Sequence, residues 1–307
     1  MTVQSKISVT IVTGFLGAGK TTFINHILKN YPDVQFALVE NEFGDVAIDT
    51  KLIKGIDASQ MFELKEGCIC CTITDEYELV LQELAERFPN VEHLLIETTG
   101  VAEPASVIRP FFNDENLKKL YTYSGTICLV DVLNFETQPE KETSVKQIVA
   151  ADLVLINKTE QSSTEENRNL KTEIEQINPF CKINSTTVND LALNIDLNTI
   201  LQMEPAVAEF SGIHPEHLKL ESKTITWESP LNKESFSEWL SYHLDVHKNE
   251  IYRIKGILCF ENEPFEYILQ GVGGSYELLE GENMVSENKS ELVFIGRLEE
   301  IDFTIPF

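Results

Sequence analysis

Residues Ile7–Thr22 read ISVTIVTGFLGAGKTT, and the class of fold follows from this segment. Its first part, Ile7–Thr13, is rich in β-branched residues and predicts a buried strand. The turn that follows, Gly14-Phe15-Leu16-Gly17-Ala18-Gly19-Lys20-Thr21, fits the pattern G-x-x-x-x-G-K-[ST] ahead of a predicted helix. Glycines let backbone N–H groups converge on an anion, and the helix N-terminus adds its dipole. We therefore predict a P-loop in which Gly14 to Thr22 bind the phosphates of a nucleotide.

Two residues of the P-loop and one residue of a second motif are candidates for catalysis. Lys20 should reach the β- and γ-phosphates, and Thr21 should place its hydroxyl on Mg²⁺. The second motif, Leu94-Leu95-Ile96-Glu97-Thr98-Thr99-Gly100, is an apolar strand that ends in a carboxylate. Glu97 can hold the Mg²⁺ through water, and the Gly100 amide can contact the γ-phosphate. The sequence thus predicts Mg²⁺-dependent hydrolysis of a nucleoside triphosphate.

A third motif bears on the choice of base. Leu155-Ile156-Asn157-Lys158-Thr159-Glu160 ends a predicted strand with N-K-x-E, whereas GTPases usually carry N-K-x-D. The carboxylate accepts hydrogen bonds from guanine, the lysine stem covers the base, and the asparagine braces the loop. Glu160 offers the same group one methylene further out, so the motif favours GTP over ATP.

Three of the six cysteines fall in one turn, Glu66-Gly67-Cys68-Ile69-Cys70-Cys71. Thiolates bind soft or borderline cations such as Zn²⁺ or Cu⁺, and tetrahedral zinc needs four ligands. Cys68, Cys70 and Cys71 would leave one position open, which suits a metal in transit better than a structural site. Buried structural cysteines and a redox pair stay open as alternatives.

The chain is organised in two parts. Up to residue 204, strand-like apolar runs alternate with helix-period segments, which predicts an α/β domain with a mostly parallel sheet flanked by helices. Residues 205–221 contain Pro205, Gly212 and Pro215 and read as a linker. Residues 222–307 show successive strands with one helix, which predicts a small C-terminal α+β domain. Within it, the acidic stretch Glu277–Glu291 is expected to be flexible.

Composition narrows the list of partners. The chain has 307 residues and a formal net charge of −26, and such a surface repels nucleic acid and anionic lipid. Six cysteines are too few for a disulfide scaffold, which indicates a reducing compartment. The polar N-terminus and the lack of a long apolar run predict no signal peptide and no membrane span. We expect a cytoplasmic protein that is a monomer or a weak homo-oligomer.

Taken in order, these motifs make the chain resemble the zinc metallochaperone branch of the CobW-type P-loop GTPases. The resemblance covers nearly the whole chain, and its matching segments are Gly14–Thr22, Glu40–Asp45, Gly67–Cys71, Glu97–Gly100, Arg253–Gly256, Gln270–Val272 and Val293–Gly296. It implies a GTPase that binds Zn²⁺ at Cys68, Cys70 and Cys71 and delivers the metal to a client metalloprotein. Glu40 and Asp45, in the loop after the second strand, match acidic positions associated with metal.

Other readings remain open at this point. The cargo could be cobalt or nickel for a cofactor pathway, and a P-loop also serves phosphotransferases and non-catalytic GTP-binding scaffolds. The histidine-rich loop of many family members is absent, which argues against storage. His214 and His217 are better explained as linker residues, and His243 and His247 as surface residues near a helix end, than as metal ligands. No glutamine stands where it could orient the attacking water, so we predict slow intrinsic hydrolysis.

Overall fold

The computed structural model describes residues 5–42, 45–48, 74–186 and 220–304. These residues fall into two compact units, one containing residues up to 172 together with 181–186, the other containing 173–180 and 220–304. The predicted linker, residues 205–221, lies almost wholly outside the described residues, so the predicted domain boundaries stay a prediction. Across the described ranges, no helix is both long and apolar enough to cross a bilayer.

The first unit is built on a seven-stranded sheet in the order β3-β2-β4-β1-β5-β6-β7. The strands are β1 Ile7–Gly14, β2 Phe36–Glu42, β3 Asp45–Ile48, β4 His93–Glu97, β5 Tyr121–Asp131, β6 Leu153–Asn157 and β7 Lys182–Ser185. Only the β2–β3 pair is antiparallel. The helices are α1 Lys20–Asn30, α2 Thr74–Arg87, α3 Pro104–Asn113, α4 Leu117–Leu120, α5 Lys141–Ala150 and α6 Thr164–Ile177. This confirms the predicted α/β architecture.

Burial explains why these segments fold as they do. The parallel strands are near-continuous apolar runs because helices cover the sheet. Phe23 and Ile27 of α1 are fully buried and pack in one cluster with Val12, Leu38 and Leu95. Because β1, β2, β4, β5 and β6 are parallel neighbours, their carboxyl ends lie at one edge of the sheet. That edge carries the functional motifs.

Within residues 220–304, the second unit forms an antiparallel sheet in the order β11-β10-β9-β12-β8 together with one helix. Its elements are β8 Glu221–Trp227, α7 Lys233–Val246, β9 Ile251–Leu258, β10 Phe265–Val272, β11 Ser275–Met284 and β12 Ser290–Gly296. Phe236 and Leu240 of α7 pack in one core cluster with Ile254 and Phe294 of the sheet. The predicted small α+β domain is confirmed.

The stretch Glu277–Glu291, expected to be flexible, is divided between strand and loop. Its first part belongs to β11, which pairs along β10 in register, with Glu277 opposite Gln270. β11 is an edge strand with exposed side chains, and charged residues are common on such edges because they discourage pairing with other chains. The acidic stretch therefore contains an exposed strand as far as Met284, and residues 285–289 are the loop that connects it to β12.

The expectation of a surface role for His243 was also wrong. Only 6% of His243 is exposed, and its ring lies 4.9 Å from that of Trp239 and 5.3 Å from that of Phe303. Burial lowers the pKa of His243, so its neutral form is favoured in this core. His247 stacks on His243 with ring centroids 6.0 Å apart. His214 and His217 lie outside the described residues.

Candidate nucleotide site

The P-loop backbone requires glycine at three positions. Gly14, Gly17 and Gly19 have φ of 136°, 76° and 104°, in the left-handed region that side chains disfavour. A Cβ at Gly14 would lie 2.2 Å from the Leu129 carbonyl oxygen, and one at Gly19 would lie 2.6 Å from Asn157 Nδ2. The loop therefore has both the turn and the close packing that a phosphate cradle needs.

Lys20 begins α1 and folds back over the P-loop. Its Nζ donates to the carbonyl oxygens of Gly14 at 2.8 Å and Phe15 at 3.3 Å. Burial lowers the pKa of Lys20, and the nearby Glu97 charge opposes that shift. A buried ammonium held by neutral carbonyls gains from an anion, so this residue fits a phosphate group in the loop.

Thr21, on the first turn of α1, meets the end of β4. Its Oγ1 donates to Glu97 Oε1 at 3.0 Å. Mg²⁺ prefers such oxygen ligands and keeps several waters, so a hydroxyl beside a carboxylate fits it. Bound there, Mg²⁺ would neutralise charge on the phosphates of the nucleotide. Thr22 follows on the same exposed turn.

The loop after β4 is hydrogen-bonded to the end of β1 and lies against the P-loop. Thr98 Oγ1 donates to Thr13 Oγ1 at 2.8 Å, and Thr98 N donates to Val12 O at 3.0 Å. Further along, a Cβ at Gly100 would lie 2.5 Å from the Leu16 nitrogen. The two backbones touch, so Gly100 stands where its amide is near the phosphate loop. Its contact with a γ-phosphate stays a prediction.

The N-K-x-E loop after β6 also contacts the P-loop. Asn157 is 1% exposed, and its Nδ2 donates to the Ala18 carbonyl at 2.9 Å, while its Oδ1 accepts from Lys158 N at 2.8 Å. Lys158 has φ of 64°, which turns the chain sharply. Glu160 follows in a 3-10 turn, Thr159–Gln161, and is exposed to solvent. Asn157 thus braces this loop, while the roles of Lys158 and Glu160 at a base stay predictions.

Sequence reasoning missed Asp131. It ends β5, directly beside Asn157 of β6, and is 7% exposed. Its Oδ2 accepts from Lys158 Nζ at 2.6 Å and from Asn134 Nδ2 at 2.6 Å. The signal that could have revealed it is its position, since a carboxylate at the end of a central parallel strand faces the same edge as Glu97.

The candidate metal ligands are only partly described. Glu40 and Asp45 were expected in a loop, but Glu40 lies within β2 and Asp45 begins β3. The two strands form an antiparallel pair, and Glu40 also pairs with Glu97 of β4. Cys68, Cys70 and Cys71 lie outside the described residues. Among the residues that the structure describes, no group of three or more His, Cys, Asp or Glu side chains is arranged to hold a metal ion.

A phosphate loop, an acidic strand end and an N-K-x-E loop stand at one edge of a parallel sheet, and together they define a P-loop nucleotide-binding protein. Comparison with known proteins gives the family. Residues 8–184 match the CobW/HypB/UreG nucleotide-binding domain, and residues 220–303 match the cobalamin synthesis protein cobW C-terminal domain. The chain belongs to this CobW-type family of P-loop GTPases, as its motifs predicted, and its cofactors include GTP and Mg²⁺.

Two similar proteins and one similar crystal structure carry zinc in their names. The zinc chaperone YjiA of Escherichia coli K12 is 32% identical over 305 residues, which cover 95% of each chain. The zinc-regulated GTPase metalloprotein activator 1 of Schizosaccharomyces pombe is 29% identical, covering 89% of this chain and 77% of that protein. The crystal structure of Zn(II)-bound YjiA GTPase from E. coli superposes with a TM-score of 0.67 at 26% identity, covering 95% of this chain and 94% of that one.

Proposed function

We propose that this chain is a GTP-hydrolysing metallochaperone that binds Zn²⁺ at its C-x-C-C motif and passes it to a client metalloprotein. The similar proteins named as zinc chaperones and as a zinc-regulated GTPase metalloprotein activator support the choice of metal and of role. The metal ligands proposed are Cys68, Cys70, Cys71, Glu40 and Asp45, and the Zn²⁺ is cargo.

The observation that carries the proposal is the pairing of Glu40 with Glu97. These residues occupy matched positions on neighbouring parallel strands, β2 and β4. Glu97 in turn accepts the hydrogen bond of Thr21, at 3.0 Å, on the P-loop helix. A candidate zinc ligand and a candidate Mg²⁺ residue therefore lie at matched positions of hydrogen-bonded neighbouring strands, which gives the proposed coupling a physical path.

Loss of the γ-phosphate supplies that change. In GTPases the γ-phosphate and Mg²⁺ order nearby loops, and hydrolysis releases them. Here the loop concerned is Thr98–Gly100, which continues from β4 and touches the P-loop at Leu16. By linkage, a nucleotide that changes zinc affinity must have its own affinity changed by zinc to the same factor. Zinc is thus held in one nucleotide state and released in the other.

The experiment is a zinc competition titration of the whole chain, with a non-hydrolysable GTP analogue and then with GDP. We expect at least a tenfold difference in zinc affinity between the two states, within the usual range of about 5- to 150-fold. The variant Cys70→Ser should lose tight binding in both states. Cys259→Ser is the control, because Cys259 Sγ donates to the Lys289 carbonyl at 3.2 Å, a bond that a hydroxyl also makes.

Two results would count against the proposal. Equal zinc affinities with analogue and GDP would remove the coupling, and unchanged affinity in Cys70→Ser would remove the site. The same titration with Co²⁺ and Ni²⁺ tests the cobalt and nickel alternatives. We expect tighter binding of Zn²⁺, because soft thiolate ligands favour it. We further propose that this function is exercised in the cytoplasm, by a monomer or weak homo-oligomer with domains at 1–204 and 222–307.

A further inference from the structure

Gln147 of α5 is buried beside the nucleotide site and contacts the loop that follows β4. Its side chain is 0% exposed, and its Nε2 donates to the carbonyl oxygens of Gly100 at 3.1 Å and Ala102 at 3.2 Å. Two acceptors at one end of the amide require its nitrogen to face them, which fixes the orientation of the group. One side chain therefore holds two carbonyls of this loop.

An ion pair also connects α5 to the same loop. Lys146 Nζ lies 2.6 Å from a carboxylate oxygen of Glu103, but the two side chains are 21% and 54% exposed. Exposed ion pairs contribute little, because water screens them and ordering two long side chains costs entropy. The buried amide of Gln147 is therefore the stronger of these two contacts from α5, and Lys146, the residue before it, supplies a matched control.

The loop held by Gln147 is the one that touches the P-loop. Gly100 stands so close to Leu16 that a Cβ would lie 2.5 Å from the Leu16 nitrogen. Because the hydrogen bond from Gln147 restricts the Gly100 carbonyl, it also restricts the orientation of the neighbouring peptide groups. The amide that is predicted to meet the γ-phosphate is thereby held in place before the nucleotide binds.

The other end of the Gln147 amide faces a small cavity behind the P-loop. The cavity has a volume of about 10 Å³, and Phe15, Leu16, Gln138, Ser144 and Gln147 are among its lining residues. Within the described part of the chain, three buried polar atoms there have no hydrogen-bond partner, namely Gln147 Oε1, Ser144 Oγ and Gln138 Nε2. Buried polar atoms are costly unless paired, and this volume and polarity suit one water molecule.

We propose that Gln147 is a positioning residue for GTP hydrolysis, whose amide nitrogen orders the loop after β4 and whose amide oxygen is anchored through a single buried water to Ser144 and Gln138. The residue acts through the Gly100 backbone and does not touch the reacting atoms. This proposal rests on the GTPase activity and is independent of zinc transfer, so its test is performed without zinc.

The test compares Gln147→Met with Lys146→Met in steady-state GTP hydrolysis and in affinity for a GTP analogue and for GDP. Gln147→Met keeps the volume but loses both donated bonds, so kcat should fall by about tenfold or more. The preference for the analogue over GDP should fall with it, while GDP affinity stays within about twofold because GDP lacks the γ-phosphate. Lys146→Met should retain the parent kcat and preference. Equal losses in both variants would overturn the proposal.

Gln147→Glu gives a second readout that a merely structural role would not move. An ionised carboxylate accepts only and repels the two carbonyls, whereas a protonated one donates one hydrogen bond. The variant should therefore recover part of its kcat as pH falls from 8 to 6, relative to the parent protein. A pH profile parallel to that of the parent would contradict the proposal. In a high-resolution crystal structure, density for a water within hydrogen-bond distance of Gln147, Ser144 and Gln138 is expected; its absence would contradict the anchoring water.

Discussion

The Thr21 hydroxyl donates a 3.0 Å hydrogen bond to the Glu97 carboxylate, across 76 residues of sequence. This bond joins the first turn of α1 to the end of β4 and puts the two predicted oxygen ligands for Mg²⁺ side by side.

Replacing Thr21 should therefore damage hydrolysis more than binding. Thr21→Ala removes one oxygen from the Mg²⁺ site, and metal-ion stabilisation of the transition state is worth several kcal/mol, so kcat should fall about 100-fold. Thr21→Ser keeps the hydroxyl and should stay within a few-fold of the parent. Steady-state phosphate release at saturating GTP measures both. Full activity in Thr21→Ala would rule out this hydroxyl as a ligand.

Asp131 should control affinity, not turnover. It holds Lys158 at 2.6 Å, close to the loop predicted to receive the base. Hydrogen bonds to charged groups contribute about 1.5–3 kcal/mol, so Asp131→Asn should weaken GTP and GDP alike by about 10- to 100-fold, with kcat little changed. Glu136→Gln is the control, since the Glu136 side chain is 66% exposed in its 2.8 Å pair with Lys141. Isothermal titration calorimetry with each nucleotide measures both affinities. A loss of affinity for GTP alone would contradict this role of Asp131.

Gly100 should tolerate no side chain. A Cβ there would meet the Leu16 nitrogen at 2.5 Å, and that neighbour is backbone, which cannot swing aside. Gly100→Ala should therefore push the loop away from the P-loop, at a cost of about 1–3 kcal/mol of unfolding free energy. It should also lower affinity for a GTP analogue more than for GDP. Gly17→Ala isolates a different effect, backbone strain, because its φ is 76° although no atom lies within 4 Å of a Cβ built there. A Gly100→Ala protein as stable as the parent would show that the contact is loose.

The sequence predicted the strands best where an apolar run is short and fully buried. Two strands, β4 and β6, end where the motifs predict, at Glu97 and Asn157, and their apolar residues are buried. The apolar run of β5 starts only after Gly125, but the strand begins at Tyr121. The register of β1 against β5 shifts between Val9 and Thr10, so the early part of β5 still pairs. Such a shift depends on the partner strand and leaves no local signal.

The residues of the candidate site were also predicted unevenly. Lys20, Thr21 and the glycines follow from a contiguous motif, because one loop builds one phosphate cradle. Asp131 and Gln147 were missed because their roles depend on chain segments far away in sequence. Gln147 contacts Gly100 47 residues earlier, and Asp131 contacts Lys158 27 residues later. His243 was assigned to the surface for the same reason, since Phe303, which helps to bury it, is distant in sequence.

The pH dependence of stability should carry the signature of His93. This residue is 2% exposed, its Nε2 lies 3.0 Å from Thr10 Oγ1, and burial lowers its pKa to about 4. In the unfolded chain the pKa of histidine is about 6.5. Between that pH and about 4, His93 is therefore protonated in the unfolded state and neutral in the folded state. Stability is therefore kept above pH 6.5 and lost progressively as the pH falls toward 4, by about 2 kcal/mol at pH 5.

The matched variant is His93→Gln, which keeps a polar group that can bond Thr10 but does not titrate. Urea unfolding at pH 7 and at pH 5 should show the parent losing about 2 kcal/mol more than the variant. Taking this difference cancels the carboxylates, which titrate in both proteins. If the two proteins lost the same free energy of unfolding between these pH values, His93 would have to be protonated in the folded core. Its Nε2 faces the neutral Thr10 hydroxyl there. A buried charge that faces a neutral group is costly, so this outcome would contradict the lowered pKa.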